Sequence, residues 1–279
     1  MTTKDSLGDM MKEFELSEAG RKIMKGLPFI ARLDGRAFHM FTKGLKRPYD
    51  ERMSLCMIET AKFLVKETHA SIGYTQSDEI SIGWEPKRSN NGEFSEILFG
   101  GRFQKLTSIL AALASVKFFQ LIQEHLPEKA DKLPVFDCRV WQMPTLELAA
   151  KAFLWRELDA TKNSISMAAH AYFPHKMLQG LGGSDKQQML FERGINWNDY
   201  PNFFKRGSYI QRRNYSCTLT NEERAKIPEK HRPEEGKLFT RSKIVELDLP
   251  KAQSIQNYAS VLFFGVDPVL KQESLFTKE

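Results

Sequence analysis

The chain has 279 residues, 41% hydrophobic and 27% charged, enough for one large domain or two small ones around a sizeable core. Its 17 glycines and 12 prolines are ordinary counts, which excludes collagen-like and low-complexity classes. Lys and Arg exceed Asp and Glu by six, a modest excess that suits a polyanionic partner without requiring one.

Taken in chain order, the amino-terminal MTTKDSLGDMMKEFE mixes both charge signs around no apolar centre, so it is not expected to act as a signal peptide. Residues 28–34 (PFIARLD) alternate, with Phe29, Ala31 and Leu33 on one face and Ile30, Arg32 and Asp34 on the other: a strand. Asp50 is a suitable N-cap for a helix reaching about Thr68, with Met53, Met57, Ala61 and Leu64 as its apolar stripe. Residues 71–76 and 80–84 form two strands separated only by polar Gln76-Ser77-Asp78-Glu79, a tight hairpin. After an Asn, Ser and Gly-rich loop over 87–101, a long helix is expected over 102–125 and a fourth strand over 135–143. Within that helix the longest apolar run, 109–119, is interrupted by Ser115 and Lys117, short of the roughly 18 residues a membrane span needs, so no membrane is expected. Strand, helix, strand, strand, helix, strand is the ferredoxin-like βαββαβ order, an α+β class.

Residues 1–145 therefore read as a palm-like core. Residues 146–279 read as a mostly helical extension with a small β element: a helix over 145–171, strands near 208–215 and 238–245, and a charged surface loop over 221–236. Gly180-Leu181-Gly182-Gly183 lacks the Gly-Lys-Ser/Thr ending of a phosphate loop and reads as a helix-terminating loop. The three cysteines, Cys56, Cys138 and Cys217, are odd in number and widely spaced, with no CxxC pair. That excludes a zinc ribbon, argues against a disulfide framework and fits the cytoplasm.

The topology makes a geometric statement. A strand–helix–strand crossover leaves its two strands parallel, so both carboxyl-terminal ends lie on one sheet edge. Asp34-Gly35 ends the first strand and Ser77-Asp78-Glu79 the second, so Asp34 and Asp78 are expected to meet there with Glu79 close by. Converging carboxylates repel unless a cation joins them. Hard Mg2+ takes one or two carboxylates plus substrate phosphates, and two such ions can clamp both oxygens of a phosphoryl displacement. The turn Gly35-Arg36-Ala37-Phe38-His39 offers consecutive backbone N–H groups to a triphosphate. For each acid alone a solvated turn is the favoured reading; their shared edge is what shifts the balance toward metal.

These residues resemble a known family. Arg32 to Phe41 (RLDGRAFHMF) is similar to the RxDGRxFHxF signature of tRNA-histidine guanylyltransferases and their bacterial-type relatives. Gln76 to Glu79, Phe136 to Val140 (FDCRV), Trp155 to Asp159 (WRELD), Gly194 to Asn198 and Phe204 to Gly207 resemble the family's later blocks in order. The resemblance implies a polymerase-like palm that adds nucleotides 3′-to-5′ at the 5′ end of tRNA. In that chemistry ATP activates a 5′-phosphate and a nucleoside triphosphate such as GTP then attacks it. It implies two Mg2+ ions held by Asp34, the Gly35 carbonyl and Asp78, with Glu79 supporting. Arg32, Lys105 and Arg139 match triphosphate contacts; Arg47, Ser77 and Asn163 match the second nucleotide or the 5′ end, Arg47 standing where Lys is usual. The family further suggests a homotetramer. Guanylyltransferases proper carry His-Ile-Asn-Asn after WRxxD; here the stretch is Thr161-Lys162-Asn163-Ser164, which favours the branch that repairs 5′-truncated tRNA on a template.

RNA contacts are expected at Lys186, Asn196, Asn198, Lys205, Arg206, Arg212 and Arg213. Residues 202–213 carry four of these basic groups, no acid, and interleaved Phe203, Phe204 and Tyr209. A strand with a solvated face and core aromatics is the equal alternative. Asp159 and Asn163 share a helix face, where an internal hydrogen bond is the simplest reading. Two other functions stay open: a nucleotide cyclase or other palm nucleotidyltransferase, and a non-catalytic RNA-binding protein.

Overall fold

The computed structural model describes residues 6–272; the first five residues of the amino-terminal stretch judged not to be a signal peptide lie outside them. In chain order the elements are α1 (Ser6–Ala19), β1 (Phe29–Gly35), α2 (Phe38–Phe41), α3 (Glu51–Thr68), β2 (Ile72–Gln76), β3 (Glu79–Trp84), α4 (Phe103–His125) and β4 (Phe136–Gln142). There follow α5 (Leu146–Tyr172), α6 (His175–Leu178), α7 (Gly183–Glu192), α8 (Asn202–Arg206), β5 (Ser208–Cys217), α9 (Asn221–Ala225), β6 (Phe239–Leu247) and α10 (Tyr258–Phe264).

One six-stranded sheet, ordered β4-β1-β3-β2-β5-β6, runs through the molecule, and every neighbouring pair is antiparallel. Its first four strands carry the ferredoxin-like order. β1 and β2 each pair antiparallel with β3, so they are parallel to each other and end on the same edge. β5 and β6, from the second half of the chain, extend the same sheet beyond β2.

The alternation along each strand decides which layer it meets. Ala31, Leu33, Ile80 and Ile82 bury one face against Met57 and Leu64 of α3 and Leu106, Leu110 and Phe118 of α4. Ile30, Ile72, Tyr74 and Tyr209 bury the other face against Phe153 of α5 and Val261 and Leu262 of α10. Each such apolar side chain removed from water contributes roughly 1.5–3 kcal/mol. A third cluster, around Ala168, Ala169, Leu178, Leu190 and Phe204, joins α5 to α6, α7 and α8.

α3 starts where its cap requires: the Asp50 carboxylate accepts from the Arg52 N–H at 3.0 Å. α4 corrects one expectation, since by length and composition it is apolar enough to cross a membrane. In the fold it packs one stripe, Leu106, Leu110, Ala114 and Phe118, into the core against the sheet. Two helices carry no strong sequence signal, α1 and α10, and the charged 221–236 segment contains the short, boxed α9. The Gly180–Gly183 segment ends α6 and also starts α7, with Gly182 as its N-cap.

Candidate active site

The two strand ends meet by a backbone bond. The Gly35 N–H donates to the Asp78 carbonyl at 3.0 Å, tying the end of β1 to the β2–β3 hairpin. The cross-strand register sets Asp34 opposite Glu79 of β3 and opposite Asp137 of β4, a row of three carboxylates. Burial raises the Asp78 carboxyl above its ordinary value, and the charge of Asp34 pushes the same way. Bonds from its own backbone and Ser77, and the charge of His39, oppose that rise. Two carboxylates so placed, one of them desolvated, are a hard-oxygen donor set that suits a divalent cation whose remaining ligands come from water and phosphate. Asp34 and Asp78 would hold it.

Strain marks both turns. Ala37 (φ 55°) and Ser77 (φ 50°) sit in the left-handed region, where non-glycine residues are uncommon. Gly35 is required by space: a Cβ there would lie 2.4 Å from the Phe38 ring. That ring is the anchor of the turn, packed on Phe41, Phe118 and Phe136 at centroid distances of 5.1–5.5 Å. The turn corrects one expectation. The amides of Gly35 and Arg36 are taken by the Asp78 and Val135 carbonyls, so a phosphate cradle here rests on the amides of Ala37, Phe38 and His39.

One step in from the acids lies a row of bases. Arg32 faces Arg139 across β1 and β4, and like charges directly opposite are unfavourable unless an anion lies between or above them. Arg139 also meets Asp137 at 3.5 Å. The Arg32 guanidinium lies over the Trp155 ring at 5.3 Å, and that of Arg156 lies 4.5 Å from the same ring.

Glu79 is not free for proton transfer. It is 5% exposed, its pKa is raised by burial, and it accepts from Arg156 Nε at 2.7 Å, a bond that opposes the rise. Arg156 also donates to Asp159 at 2.9 Å, and Asp159 accepts from Asn163 Nδ2 at 3.1 Å. Glu79 thus acts through packing and charge balance beside Asp34 and Asp78. The first acid of the WRELD segment has structural work as well: Glu157 is buried and accepts from Tyr209 Oη and the Ala252 N–H, both at 2.9 Å. Sequence reasoning gave Arg156, Trp155 and Asp137 no role; their signal lay in the motif blocks themselves and in the register opposite Asp34.

A cavity of about 930 Å3 opens from this edge. His39, Arg47, Ser77, Asp78 and Asn163, drawn from α2, its following loop, the hairpin and α5, all line it. So do Lys43, Lys46 and His175, to which the sequence reading gave no role, and His170, which as a lone histidine was expected at the surface or in the core. The cavity's lining acids are Asp78 at the hairpin and Asp50, and its basic groups include Lys43, Lys46 and Arg47.

Other expected contacts lie elsewhere. Lys105 is exposed in the first turn of α4, ten residues before Ser115, whose hydroxyl accepts from the Phe136 N–H beside Gly35. At 1.5 Å per residue that is about 15 Å along the helix, so the chain itself does not bring Lys105 to the carboxylates. The basic 202–213 stretch is not one surface. Phe204 and Tyr209 are buried and cannot stack on a base, and Phe203 lines the cavity. Arg206 donates to the Leu249 carbonyl at 3.2 Å beside Glu157, and Lys205 to the Asn198 carbonyl. Arg212 bonds Ser242 and the Lys66 carbonyl, while Arg213 bonds the Gly265 carbonyl on the opposite sheet face. Lys186 donates to Ser166 at 3.1 Å, and Asn196 caps a short turn by accepting from the Asn198 N–H.

The model of the family described as tRNAHis guanylyltransferase (Thg1) matches residues 8–144. A tRNA(His) guanylyltransferase of Debaryomyces hansenii is 32% identical over 66% of this chain and 72% of its own length. The chain belongs to this family. As a member of the tRNAHis guanylyltransferase family it is a nucleotidyltransferase. Two solved structures agree with the fold described above. A bacterial tRNA(His) guanylyltransferase (Thg1)-like protein in complex with ATP superposes with a TM-score of 0.69 at 40% identity, over 75% of this chain and 87% of that one. A second, in complex with GTP, gives 0.68 at 32% identity over 89% and 94%.

Proposed function

We propose that this protein adds nucleotides in the 3′-to-5′ direction to the 5′ end of tRNA, on a template, and so repairs truncated 5′ ends. The observation that carries the reading is the Gly35–Asp78 backbone bond, which ties the end of β1, with Asp34, to the hairpin whose Asp78 lines a cavity shared with Lys43, Lys46 and Arg47. ATP, GTP and other nucleoside triphosphates are the proposed substrates, in keeping with the ligands of the two bacterial relatives. Mg2+ held by Asp34, Asp78 and the Gly35 carbonyl would supply charge neutralisation and a lowered pKa at the attacking 3′-hydroxyl.

The rest is done by the chain. Arg32 and Arg139, opposed across the sheet, bind one triphosphate tail and are relieved of their mutual repulsion by it. Trp155 holds the Arg32 guanidinium in place by its ring face. Arg47, Ser77 and Asn163 bind the second nucleotide or the phosphate of the RNA end, and the Asp159 bond fixes the Asn163 amide for that contact. Arg156 neutralises Glu79, so that the local negative charge is left to the two aspartates. The Thr161-Lys162-Asn163-Ser164 segment, without the His of the guanylyltransferases proper, favours repair over a single guanosine addition to tRNA-histidine. A cytoplasmic homotetramer belongs to the same proposal, and the three free thiols among the described residues accord with a reducing compartment.

Purified protein incubated with 5′-truncated tRNA, ATP and the four nucleoside triphosphates tests this. Extension at the 5′ end is expected, and Asp34→Ala or Asp78→Ala lowers it by at least about a hundredfold. A cyclic product from nucleoside triphosphate alone would replace the reading with a cyclase. Metal-independent tRNA binding with no extension would replace it with a binding protein.

A further inference from the structure

At the opposite end of the strands a second cavity, of about 420 Å3, opens where β3 ends and β2 begins, alongside the middle of β5. It is separated from the hairpin by the length of β2, roughly 13–17 Å. Ile72 pairs with Gly83 on one side and Gln211 on the other. Gln211 therefore shares a sheet face with Gly83, and by the two-residue period with Glu85 and Arg213. α10 roofs this face: Gln211 Nε2 donates to the carbonyls of Val261 and Leu262 at 3.0 and 2.6 Å, and Arg213 to that of Gly265.

The floor is unfinished. Gln211 is only 2% exposed, yet its Oε1 has no hydrogen-bond partner, and neither has the buried Oε2 of Glu85. Buried acceptors are normally satisfied, so both call for N–H donors from outside the chain. The rim asks for the opposite. Lys87 and Arg213 line the same cavity, Lys87 lying 3.6 Å from the other Glu85 oxygen, and each keeps donors beyond the bonds it makes within the chain. Between floor and rim stands Phe264, 62% exposed, a flat apolar face open to solvent. Donor groups, a ring and an anion together describe one ligand class. The volume is that of a small-molecule site.

We propose that this cavity is a second nucleotide site, taking an amino-bearing base against Glu85 and Gln211, its ring on Phe264, and its phosphate at Lys87 and Arg213. The nucleotide is either free or part of an RNA strand; the second case alone rests on the proposed action on tRNA. Nothing in the reaction at the carboxylate edge uses these groups.

Photolabelling with 8-azidoadenosine 5′-monophosphate, followed by peptide mapping, separates the two sites, because residues 211–214 and 263–265 report this cavity and residues 77–78 the other. Label at 211–214 or 263–265 is expected, competed at least tenfold better by AMP than by purine riboside 5′-monophosphate, which lacks the amino group. Glu85→Gln and, separately, Phe264→Ala each reduce this label at least fivefold while label at 77–78 is unchanged. A single-stranded oligonucleotide carrying the same azide labels the cavity if the source is RNA, and only the mononucleotide does so if it is free. No label at 211–214 or 263–265 with either probe, or equal competition by the two monophosphates, overturns the proposal. Loss of 5′ extension activity with this label retained would count against the tRNA reading alone.

Discussion

Asp78 is a carboxylate held in a place that disfavours its charge. Burial raises its pKa, and Asp34 adds to the rise. The sign follows: the folded protein without metal loses stability as pH climbs from the unfolded value through the raised one, because the charged form must sit desolvated beside another charge. A divalent cation reverses this, so Mg2+ should raise Tm by several degrees at pH 8 and by little near pH 4.5. Equal shifts at both values, read by thermal scanning, would show that the cation binds elsewhere. Glu79 behaves differently although it is the next residue. Its partner Arg156 is itself nearly buried, and breaking such a pair leaves an unmatched charge inside. Arg156→Ala is expected to cost about 3 kcal/mol in urea unfolding. Arg156→Lys, which keeps a charge but loses the forked contact to Glu79 and Asp159, is expected to recover part of that stability and little of the activity.

At the scale of elements, the parts that position the site were legible because their patterns are strict. β1 alternates without a fault, so Phe29, Ala31 and Leu33 go to one layer and Ile30 to the other, which leaves Asp34 at an edge. α3 has a cap in Asp50, whose carboxylate is held to a pKa of about 2 by its bond to Arg52. A depressed acid stabilises the fold above its unfolded pKa and loses that contribution as pH falls through the folded one. Asp50→Ala should therefore remove about 1–2 kcal/mol at pH 7 and nearly nothing near pH 2, the half-exposed Arg52 keeping the figure small. A constant difference across that window would contradict the assignment. α1 and α10 were not legible: α1 buries none of its residues and so has no stripe, and α10 is only seven residues long. The basic 202–213 stretch misled for a related reason. Charge in a sequence does not say which way a guanidinium turns, and Arg206, Arg212 and Arg213 each give a donor to a different carbonyl, of Leu249, Lys66 and Gly265, so they form no single surface.

In the whole molecule, the sheet is a platform with a different helical layer on each face, and the reactive edge is where strands, hairpin and α5 come together. Topology alone foretold that Asp34 and Asp78 would meet, since parallel strands in one sheet share an edge. The cavity beyond them was only partly foreseeable: Arg47, Ser77 and Asn163 came from motif resemblance, whereas His170 and His175 reach it through the packing of α5 on α6. Lys105 shows the limit from the other side. The resemblance matched it to a triphosphate contact, but it sits about 15 Å along helix α4 from Ser115, the residue beside the edge. The claim on which the rest stands is that Asp34 and Asp78 share a divalent cation with a nucleotide's phosphates. Anomalous diffraction from crystals soaked with Mn2+ and a non-hydrolysable nucleoside triphosphate tests it directly. The account predicts peaks bonded to both carboxylates and to phosphate oxygens, absent in Asp78→Asn; ordered nucleotide with its metal remote from both aspartates would contradict it.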